Sequence, residues 1–251
     1  VGEVQIIAAA LFGKASLVPD PAGILSAFRE AITKASGKAF RDVRLRLWTP
    51  QDPSVVFVKQ VNPTIEELTA KAKAISPQVR DYPTGAWGPG ESRDFHITID
   101  VSVKGVGDEM LAGRPSLVYE ESDGSVWTER EDKSPDARLF ASWTADDSLS
   151  SRIDHHVAHY TGQDDLANAI QQGLEMRESG NDSGATHMLG RAVKIAHASR
   201  NVEMTQRLSK VVEVLDAITG TVRLKKDVKK AAEMDLQLES RTTKRVSRAK
   251  T

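Results

Sequence analysis

The sequence predicts a mixed α and β fold in three successive parts, followed by a basic segment. Apolar residues recur at helical spacing near the amino terminus and again after Thr161, whereas between Arg41 and Thr144 they alternate with polar residues. The three parts are therefore a short α/β piece, an antiparallel β-sandwich and a small antiparallel helical bundle. At 251 residues the chain is long enough for two domains of about 100 to 200 residues each.

The first part, residues 1–38, is predicted to hold a helix, a strand and a second helix. Apolar residues recur at helical spacing over 4–11, and residues 15–18 form a short apolar strand. The motif Pro19-Asp20-Pro21 then begins the second helix, which ends at Gly37. Its apolar stripe consists of Ile24, Leu25, Phe28 and Ile32. Because a single strand must pair with another, this part is expected to belong to a larger α/β layer.

The second part, residues 39–148, has the two-residue period of half-buried strands. Turn signals rich in Pro, Asn, Asp and Gly separate the strands, which is the pattern of an antiparallel β-sandwich. The predicted strands cover residues 43–47, 55–61, 95–103, 116–119 and 139–143. All four tryptophans of the chain lie in this part, and we expect them to fill the core or to cover the sheet edges.

The third part, residues 149–222, is predicted to form three antiparallel helices joined by short turns. The first helix begins at Thr161 with a capping-box-like pattern and ends near Gly180. The other two cover residues 185–196 and 204–215, and the last ends near Gly220.

The final part, residues 223–251, is a basic C-terminal segment. Residues 221–251 contain ten Lys or Arg against four Asp or Glu. Within the segment, Met234, Leu236 and Leu238 alternate with polar residues, and this alternation predicts a strand.

Composition excludes several kinds of site and partner. Without cysteine there is no disulfide, thiolate nucleophile, iron–sulfur cluster or cysteine-based zinc site. The formal net charge of -1 disfavours nucleic acid as a partner. No apolar run approaches the roughly 18 to 20 residues that span a bilayer. The first residues lack the basic lead of a signal peptide, so a cytoplasmic protein without a membrane partner is expected.

Three histidines form the strongest candidate for a metal site. His155 and His159 are four residues apart and share one face of a helix, with His156 and Asp154 beside them. A catalytic zinc site requires a third ligand and a general base, and the metalloprotease pattern has a Glu next to its first His, which this sequence lacks. The favoured interpretation is therefore that the histidines cover a junction between the β and helical parts, and no metal ligand is assigned.

The string Asp146-x-Ser148-x-Ser150 resembles a motif that binds divalent metal ions through carboxylate and hydroxyl oxygens. Here it follows a sandwich strand and precedes helices, whereas a metal loop of that kind lies at the carboxyl end of a parallel strand. We therefore interpret it as a helix start with Asp147 or Ser148 as the N-cap.

No catalytic or cofactor-binding residue is assigned. The sequence has no Gly-x-Ser-x-Gly nucleophile motif and no phosphate-binding glycine loop. The segment DYPTGAWG is predicted to be a loop in which Tyr82 and Trp87 cover a sheet edge or contact a protein partner. Thr242 and Thr243 lie among basic residues and are possible phosphorylation sites.

Several strings in the chain together resemble a known family. They resemble the carboxyl-terminal portion of bacterial von Willebrand factor type A domain proteins of the actinobacterial kind, without most of the type A domain. The resemblance covers nearly the whole chain. It rests on the strings VGEVQIIAAALFG, SLVPDPAGILSAF, VRLRLWTP, VVFVKQVNPTIEELT, DYPTGAWG, VAHYTGQDDLANAIQQGL and LGRAVKIA.

The resemblance implies that residues 1–38 are the last helix, strand and helix of a type A α/β domain. The metal site of that family lies on earlier loops, so no metal ligand transfers to a residue here, and Mg²⁺ would bind in the upstream portion. The implied function is a non-enzymatic scaffold that supports this metal-dependent binding domain and interacts with a protein partner.

Two other hypotheses stay open at this point. One is a metal-dependent hydrolase that uses His155, His156 and His159. The other is an adaptor switched by phosphorylation of Thr242 or Thr243.

Overall fold

The computed structural model describes residues 7–8, 13, 15, 17–18, 20–37, 40–120, 126–128 and 137–245. The predicted helix over 4–11 lies mostly outside these residues. The predicted strand over 15–18 is wrong at its three described positions, 15, 17 and 18, which have no strand conformation. None of the described strands pairs with this run, and an apolar run without a pairing partner does not form a strand.

The second predicted helix is confirmed. Asp20 caps a 3₁₀ turn, Pro21–Gly23, by accepting a hydrogen bond from the Ala22 N–H. The turn leads into helix α1, Ile24–Ser36, and Gly37 caps its carboxyl end.

The middle of the chain is a run of antiparallel strands. All five predicted strands are present, and four further strands accompany them. The strands are β1 (Phe40–Trp48), β2 (Ser54–Asn62), β3 (Glu66–Glu67), β4 (Lys73–Ser76), β5 (Val79–Trp87), β6 (Asp94–Asp100), β7 (Glu109–Glu120), β8 (Val126–Thr128) and β9 (Leu139–Ser142).

Strand β5 corrects the prediction of a loop at DYPTGAWG. It lies between β4 and β1 and pairs with both. Pro83 and Gly85 obscured its alternation in the sequence. Gly85 takes a φ of 79° where the pairing with Val43 is irregular, a conformation that glycine adopts without a steric penalty.

The strands form two sheets that share one core. The order in the larger, six-stranded sheet is β4-β5-β1-β7-β8, with β9 also paired to β7. The smaller sheet has the order β3-β2-β6. Leu45, Leu47 and Tyr82 of the larger sheet are buried in the same cluster as Val58 of the smaller one, and Leu68 completes the cluster. The burial of these side chains stabilises both sheets together.

The carboxyl-terminal part is mainly helical. Its helices are α2 (Asp147–Ser150), α3 (His155–Glu178), α4 (Asp182–Ala198), α5 (Val202–Val211) and α6 (Lys230–Glu239), and a hairpin of β10 (Val212–Asp216) and β11 (Thr221–Leu224) lies between α5 and α6. Asn181 and Asn201 cap α4 and α5 through their side-chain oxygens. Within the described residues, no helix is both long and apolar enough to cross a membrane.

Three predictions about these elements are corrected. Helix α3 begins at His155 rather than Thr161, because the Asp154 carboxylate caps it by accepting from the His156 and Val157 N–H groups. The third predicted helix ends at Val211, and its last apolar residues form β10. The strand predicted around Leu236 is helix α6, and Leu236 is fully buried among the helices.

The helices and the hairpin have a core of their own. Leu189 and Val193 of α4, Leu208 of α5 and Val212 of β10 are fully buried in it. Because Leu236 belongs to the same core, the described part of the basic segment packs with the helices. The boundaries of the predicted parts at 38, 148 and 222 stay predictions.

Candidate functional site

The three histidines lie at the start of α3 but do not converge on one point. The rings of His155 and His156 meet edge to face at 4.8 Å, and both residues are exposed. His159 Nε2 lies 3.0 Å from the carbonyl oxygen of Lys244 and also contacts the Gln163 amide. Within the described part of the chain, no group of three or more His, Asp or Glu side chains has the geometry to hold a metal ion. His159 thus contacts a segment that is distant in sequence.

The Asp146-x-Ser148-x-Ser150 string forms the start of helix α2. The Asp146 carboxylate accepts hydrogen bonds from the Ser148 N–H at 2.8 Å and from the Ser148 hydroxyl at 2.6 Å. These bonds lower the pKa of Asp146. The Ser150 hydroxyl donates to the Asp147 carbonyl at 3.3 Å. The interpretation as a helix start is confirmed, with Asp146 itself as the N-cap in place of Asp147 or Ser148.

Tyr82 and Trp87 lie in the interior. They are 1% and 8% exposed. The Trp87 indole N–H donates to the Thr84 hydroxyl at 2.9 Å, and the Arg93 guanidinium lies 4.7 Å from the Trp87 ring centroid. Contact of these two rings with a protein partner stays a prediction, and in this structure both rings are enclosed by the protein.

The two predicted phosphorylation sites lie in a segment that we call the C-terminal strap, residues 240–245. Thr242 is exposed and its backbone forms an isolated β-bridge with Thr64. Thr243 is 7% exposed, its N–H donates to the Pro63 carbonyl at 2.9 Å and its hydroxyl donates to the Val61 carbonyl. Phosphorylation of either threonine stays a prediction, and at Thr243 the strap would have to leave the sheet to expose the hydroxyl.

Asp94 is the point at which the smaller sheet, helix α3 and the strap meet. The Tyr160 hydroxyl of α3 donates to its carboxylate, and the Arg245 guanidinium of the strap donates to both carboxylate oxygens. Arg245 also donates to the Ser92 hydroxyl at 2.7 Å. This arrangement satisfies a half-buried carboxylate with three charge-assisted hydrogen bonds.

Ionisation of the groups around Asp94 reflects both burial and these hydrogen bonds. Burial raises the pKa of Asp94, but hydrogen bonds from Arg245 and Tyr160 outweigh it, so the pKa of Asp94 is lowered overall. Burial, followed by the hydrogen bond to the Asp94 carboxylate, raises the pKa of Tyr160 to about 12. At neutral pH the donor is therefore the neutral phenol and the acceptor is the ionised carboxylate.

Further polar contacts connect the sheets with the helices. Lys59 of β2 forms an ion pair with Asp164 of α3 at 2.8 Å, one helical turn from Tyr160. Sequence reasoning missed Lys59, Asp94 and Asp164. The available signal was the spacing of four between Tyr160 and Asp164, which places both side chains on one face of α3.

Helix α1 presents a stripe of apolar side chains to solvent. The four residues of its predicted apolar stripe are all exposed, and they follow one another on a single helix face. Their exposed fractions are 56% for Ile24, 60% for Leu25, 62% for Phe28 and 49% for Ile32. Contiguous exposed apolar side chains of this size mark interaction surfaces.

Comparison with protein families gives a match to one part of the chain. Residues 194–240 match the family described as the von Willebrand factor type A C-terminal domain. This range contains the end of α4, helix α5, the β10–β11 hairpin and helix α6.

Comparison with solved structures extends the similarity to nearly the whole chain. The chain is similar to the structure described as von Willebrand factor type A from Catenulispora acidiphila, with 40% identity, a TM-score of 0.86 and coverage of 98% of this chain. It spans 56% of the length of that protein. Together with the family match, this similarity supports a protein of the von Willebrand factor type A class with a mixed α and β fold.

A second solved structure has only a weak similarity to the chain. The ArnB paralog VWA2 from Sulfolobus acidocaldarius aligns with 88% of this chain and 47% of its own, at 14% identity and a TM-score of 0.36. A search of curated proteins gave no match.

Proposed function

We propose that this chain is a non-enzymatic scaffold and protein-interaction region of a bacterial von Willebrand type A domain protein of the actinobacterial kind. In this proposal the β-sandwich and the helical bundle support a metal-dependent binding domain, whose metal site lies upstream of this chain. The observation that carries the proposal is the exposed apolar face of α1.

The physical reason is the free energy available at that face. Burial of a large apolar side chain stabilises a complex by about 1.5 to 3 kcal/mol when the side chain is fully exposed beforehand. Each of the four stripe residues is about half exposed or more, from 49% for Ile32 to 62% for Phe28. A complementary apolar surface therefore gains several favourable contacts at once, within a helix that is already formed and capped.

The nature of the face favours another polypeptide surface as its occupant. An amphipathic helix with apolar residues at positions i, i+1, i+4 and i+8 packs along one stripe against an apolar layer or groove. Such a layer would be provided either by a type A domain of the same longer protein or by a separate protein. The polar side of α1 then remains in contact with water.

Paired variants of α1 test the proposal. The double substitution Phe28→Ser with Ile32→Ser replaces two of the four residues of the apolar face. The control substitution Glu30→Ser replaces one residue on the opposite face of the same helix. Proteins that copurify with the chain from its source cells would be identified by mass spectrometry. We expect specific partners to be lost with the Phe28 and Ile32 double variant and retained with Glu30→Ser. Retention of the same partners by both variants would contradict the proposal.

A further inference from the structure

We propose that the C-terminal strap is a detachable latch that holds the helical part in one orientation on the sheets. The strap follows helix α6 in the chain and crosses from the helical core to the smaller sheet. When the latch opens, the two parts are free to reorient while each keeps its own core.

The first step of the argument is that the two parts have separate cores. The cluster between the sheets contains side chains from β1, β2 and β5 with Leu68, and the other cluster contains side chains from α3 to α6 and the β10–β11 hairpin. Among the described residues, no buried side chain belongs to both clusters. Parts with separate cores reorient more easily than parts of a single core, because each part keeps its own core when their relative orientation changes.

The second step is that polar contacts join the two parts directly at helix α3. Lys59 pairs with Asp164 at 2.8 Å, and the Tyr160 hydroxyl donates to Asp94. Both contacts involve one face of α3.

The third step is that the strap binds to both parts at once. On the sheet side, the Ile65 N–H donates to the Arg241 carbonyl at 2.8 Å, the Thr243 N–H donates to the Pro63 carbonyl at 2.9 Å, and Arg245 binds Asp94.

On the helical side, the Arg241 guanidinium donates to the Gln171 side-chain oxygen at 2.8 Å, and the Gln163 amide donates to the Lys244 carbonyl at 3.2 Å. The Lys244 ammonium also pairs with Glu203 of α5 at 2.8 Å. The strap therefore contacts both α3 and α5, and it supplies the points of attachment that the direct contacts lack.

The fourth step is that the strap can detach without unfolding either core. Its ionic anchors lie at the surface, since the Arg245 and Lys244 side chains are 44% and 72% exposed. Its only buried side chains are Ser240 and Thr243, which are small and polar. The hydrogen bonds of Thr243 to Val61 and Asn62 are buried, but the strap adds no buried apolar side chain, and segments with few buried apolar contacts open locally, well before the whole protein unfolds.

Distance measurements between the parts test the proposal, and the absence of cysteine from the chain makes labelling specific. Cysteines introduced at exposed positions Ala74 of β4 and Ser183 of α4 would carry spin labels. The double variant Thr243→Ala with Arg245→Ala removes anchors of the strap. Arg223→Ala, which breaks an exposed ion pair with Glu213 inside the β10–β11 hairpin, is the matched control.

We expect a single narrow distance distribution for the unmodified strap and for Arg223→Ala. The strap variant is expected to show a broader distribution with a second population. A folded strap variant, shown by unchanged near-ultraviolet circular dichroism, with the distribution of the control would overturn the proposal.

Hydrogen exchange on the chain without substitutions gives a second test that does not depend on a variant. We expect the Ile65 and Thr243 amides to exchange with the same protection factor, at least about tenfold below that of the Ile170 and Leu189 amides. Protection of Ile65 and Thr243 equal to that of Ile170 and Leu189 would overturn the proposal, because the strap would then open only with the whole protein.

Discussion

Asp94 illustrates how a half-buried carboxylate is kept ionised by two donors from distant parts of the chain. Tyr160 and Arg245 lie 66 and 151 residues from it in sequence. Removal of either donor leaves the carboxylate with less compensation for its lost hydration. Removal of a donor therefore weakens the contact between the sheets and the helices.

Replacement Tyr160→Phe removes one of these hydrogen bonds while it keeps the ring. We expect a decrease of about 1 to 3 kcal/mol in the free energy of unfolding near neutral pH, because the lost bond is to a charged acceptor. Urea unfolding, followed by circular dichroism, measures this decrease in the free energy of unfolding. Combination with Asp94→Asn in a double-mutant cycle is the control, and additive effects of the two substitutions would contradict a direct interaction.

The same residue gives a prediction for alkaline pH. The pKa of Tyr160 is about 12 in the folded protein against 10.0 ordinarily, so the neutral phenol stabilises the folded state fully below pH 10.0, and this stabilisation is lost between pH 10.0 and about 12. The stability difference between the unsubstituted chain and Tyr160→Phe should therefore shrink over this interval. A difference that stays constant from neutral pH to pH 12 would contradict the raised pKa.

Residue-scale predictions from sequence succeeded where the partner is close in the chain. The helix start at the Asp146-x-Ser148-x-Ser150 string, though not the capping residue itself, and the shared helix face of His155 and His159 follow from spacings of two to four residues. The contact of His159 with Lys244 spans 85 residues, and no local pattern specifies it. For the same reason Asp94, a single acidic residue before a strand, carried no signal of its role.

At the scale of elements, two glycines of helix α3, Gly162 and Gly173, have different surroundings. Substitution of each one therefore distinguishes the effect of helix propensity from the effect of close packing. A Cβ atom added at Gly173 would lie 2.7 Å from Leu189 Cγ and 3.2 Å from the Leu189 backbone nitrogen, whereas one added at Gly162 would have no neighbour within 4 Å. Gly173 is buried where α3 crosses α4. The absence of a side chain there permits the two helices to approach closely.

We therefore expect opposite effects of two alanine substitutions in the same helix. Gly173→Ala should lower the free energy of unfolding by about 1 to 3 kcal/mol, because it overpacks the contact with α4. Gly162→Ala should raise it by up to about 1 kcal/mol, because alanine favours a helix over glycine. Thermal and urea unfolding of both variants measure the difference. Stabilisation by both substitutions would show that α3 and α4 are farther apart than the structure has them.

Element type was predictable where one periodicity continues over a long run. Strands β1, β2 and β6 and helix α4 all follow patterns that local sequence defines. The predictions were wrong where a short stretch of sequence is compatible with both a helix and a strand, because tertiary packing then decides which of the two forms. Helix α5 ends at Val211 and β10 begins at Val212 because the hairpin packs on the helical core, and Leu236 lies in a helix although its neighbours alternate.

At the scale of the whole molecule, two cores and one strap define how the parts of the fold depend on each other. The order of a β part followed by a helical part was predictable, because the hydrophobic period changes from two to about 3.6 between them. The return of the C-terminal strap to the smaller sheet was not. A short polar segment has no hydrophobic pattern, and its position is set by backbone hydrogen bonds to residues nearly 180 positions earlier.

The distribution of chromophores allows the two cores to be followed separately during unfolding. All four tryptophans lie between residues 48 and 143, so their fluorescence reports the β part, whereas the long helices α3 and α4 dominate the far-ultraviolet circular dichroism. If the strap links the two cores, both signals should give one urea midpoint for the unsubstituted chain.

Loss of the strap anchors should separate the two midpoints, because each core then unfolds according to its own stability. The double variant Thr243→Ala with Arg245→Ala is expected to show this separation, and Arg223→Ala should keep a common midpoint, since its ion pair lies within the hairpin alone. Two midpoints in the unsubstituted chain would show that the strap does not link the cores. A common midpoint in all three proteins would place the link in the contacts of Tyr160 and Asp164 with the smaller sheet instead.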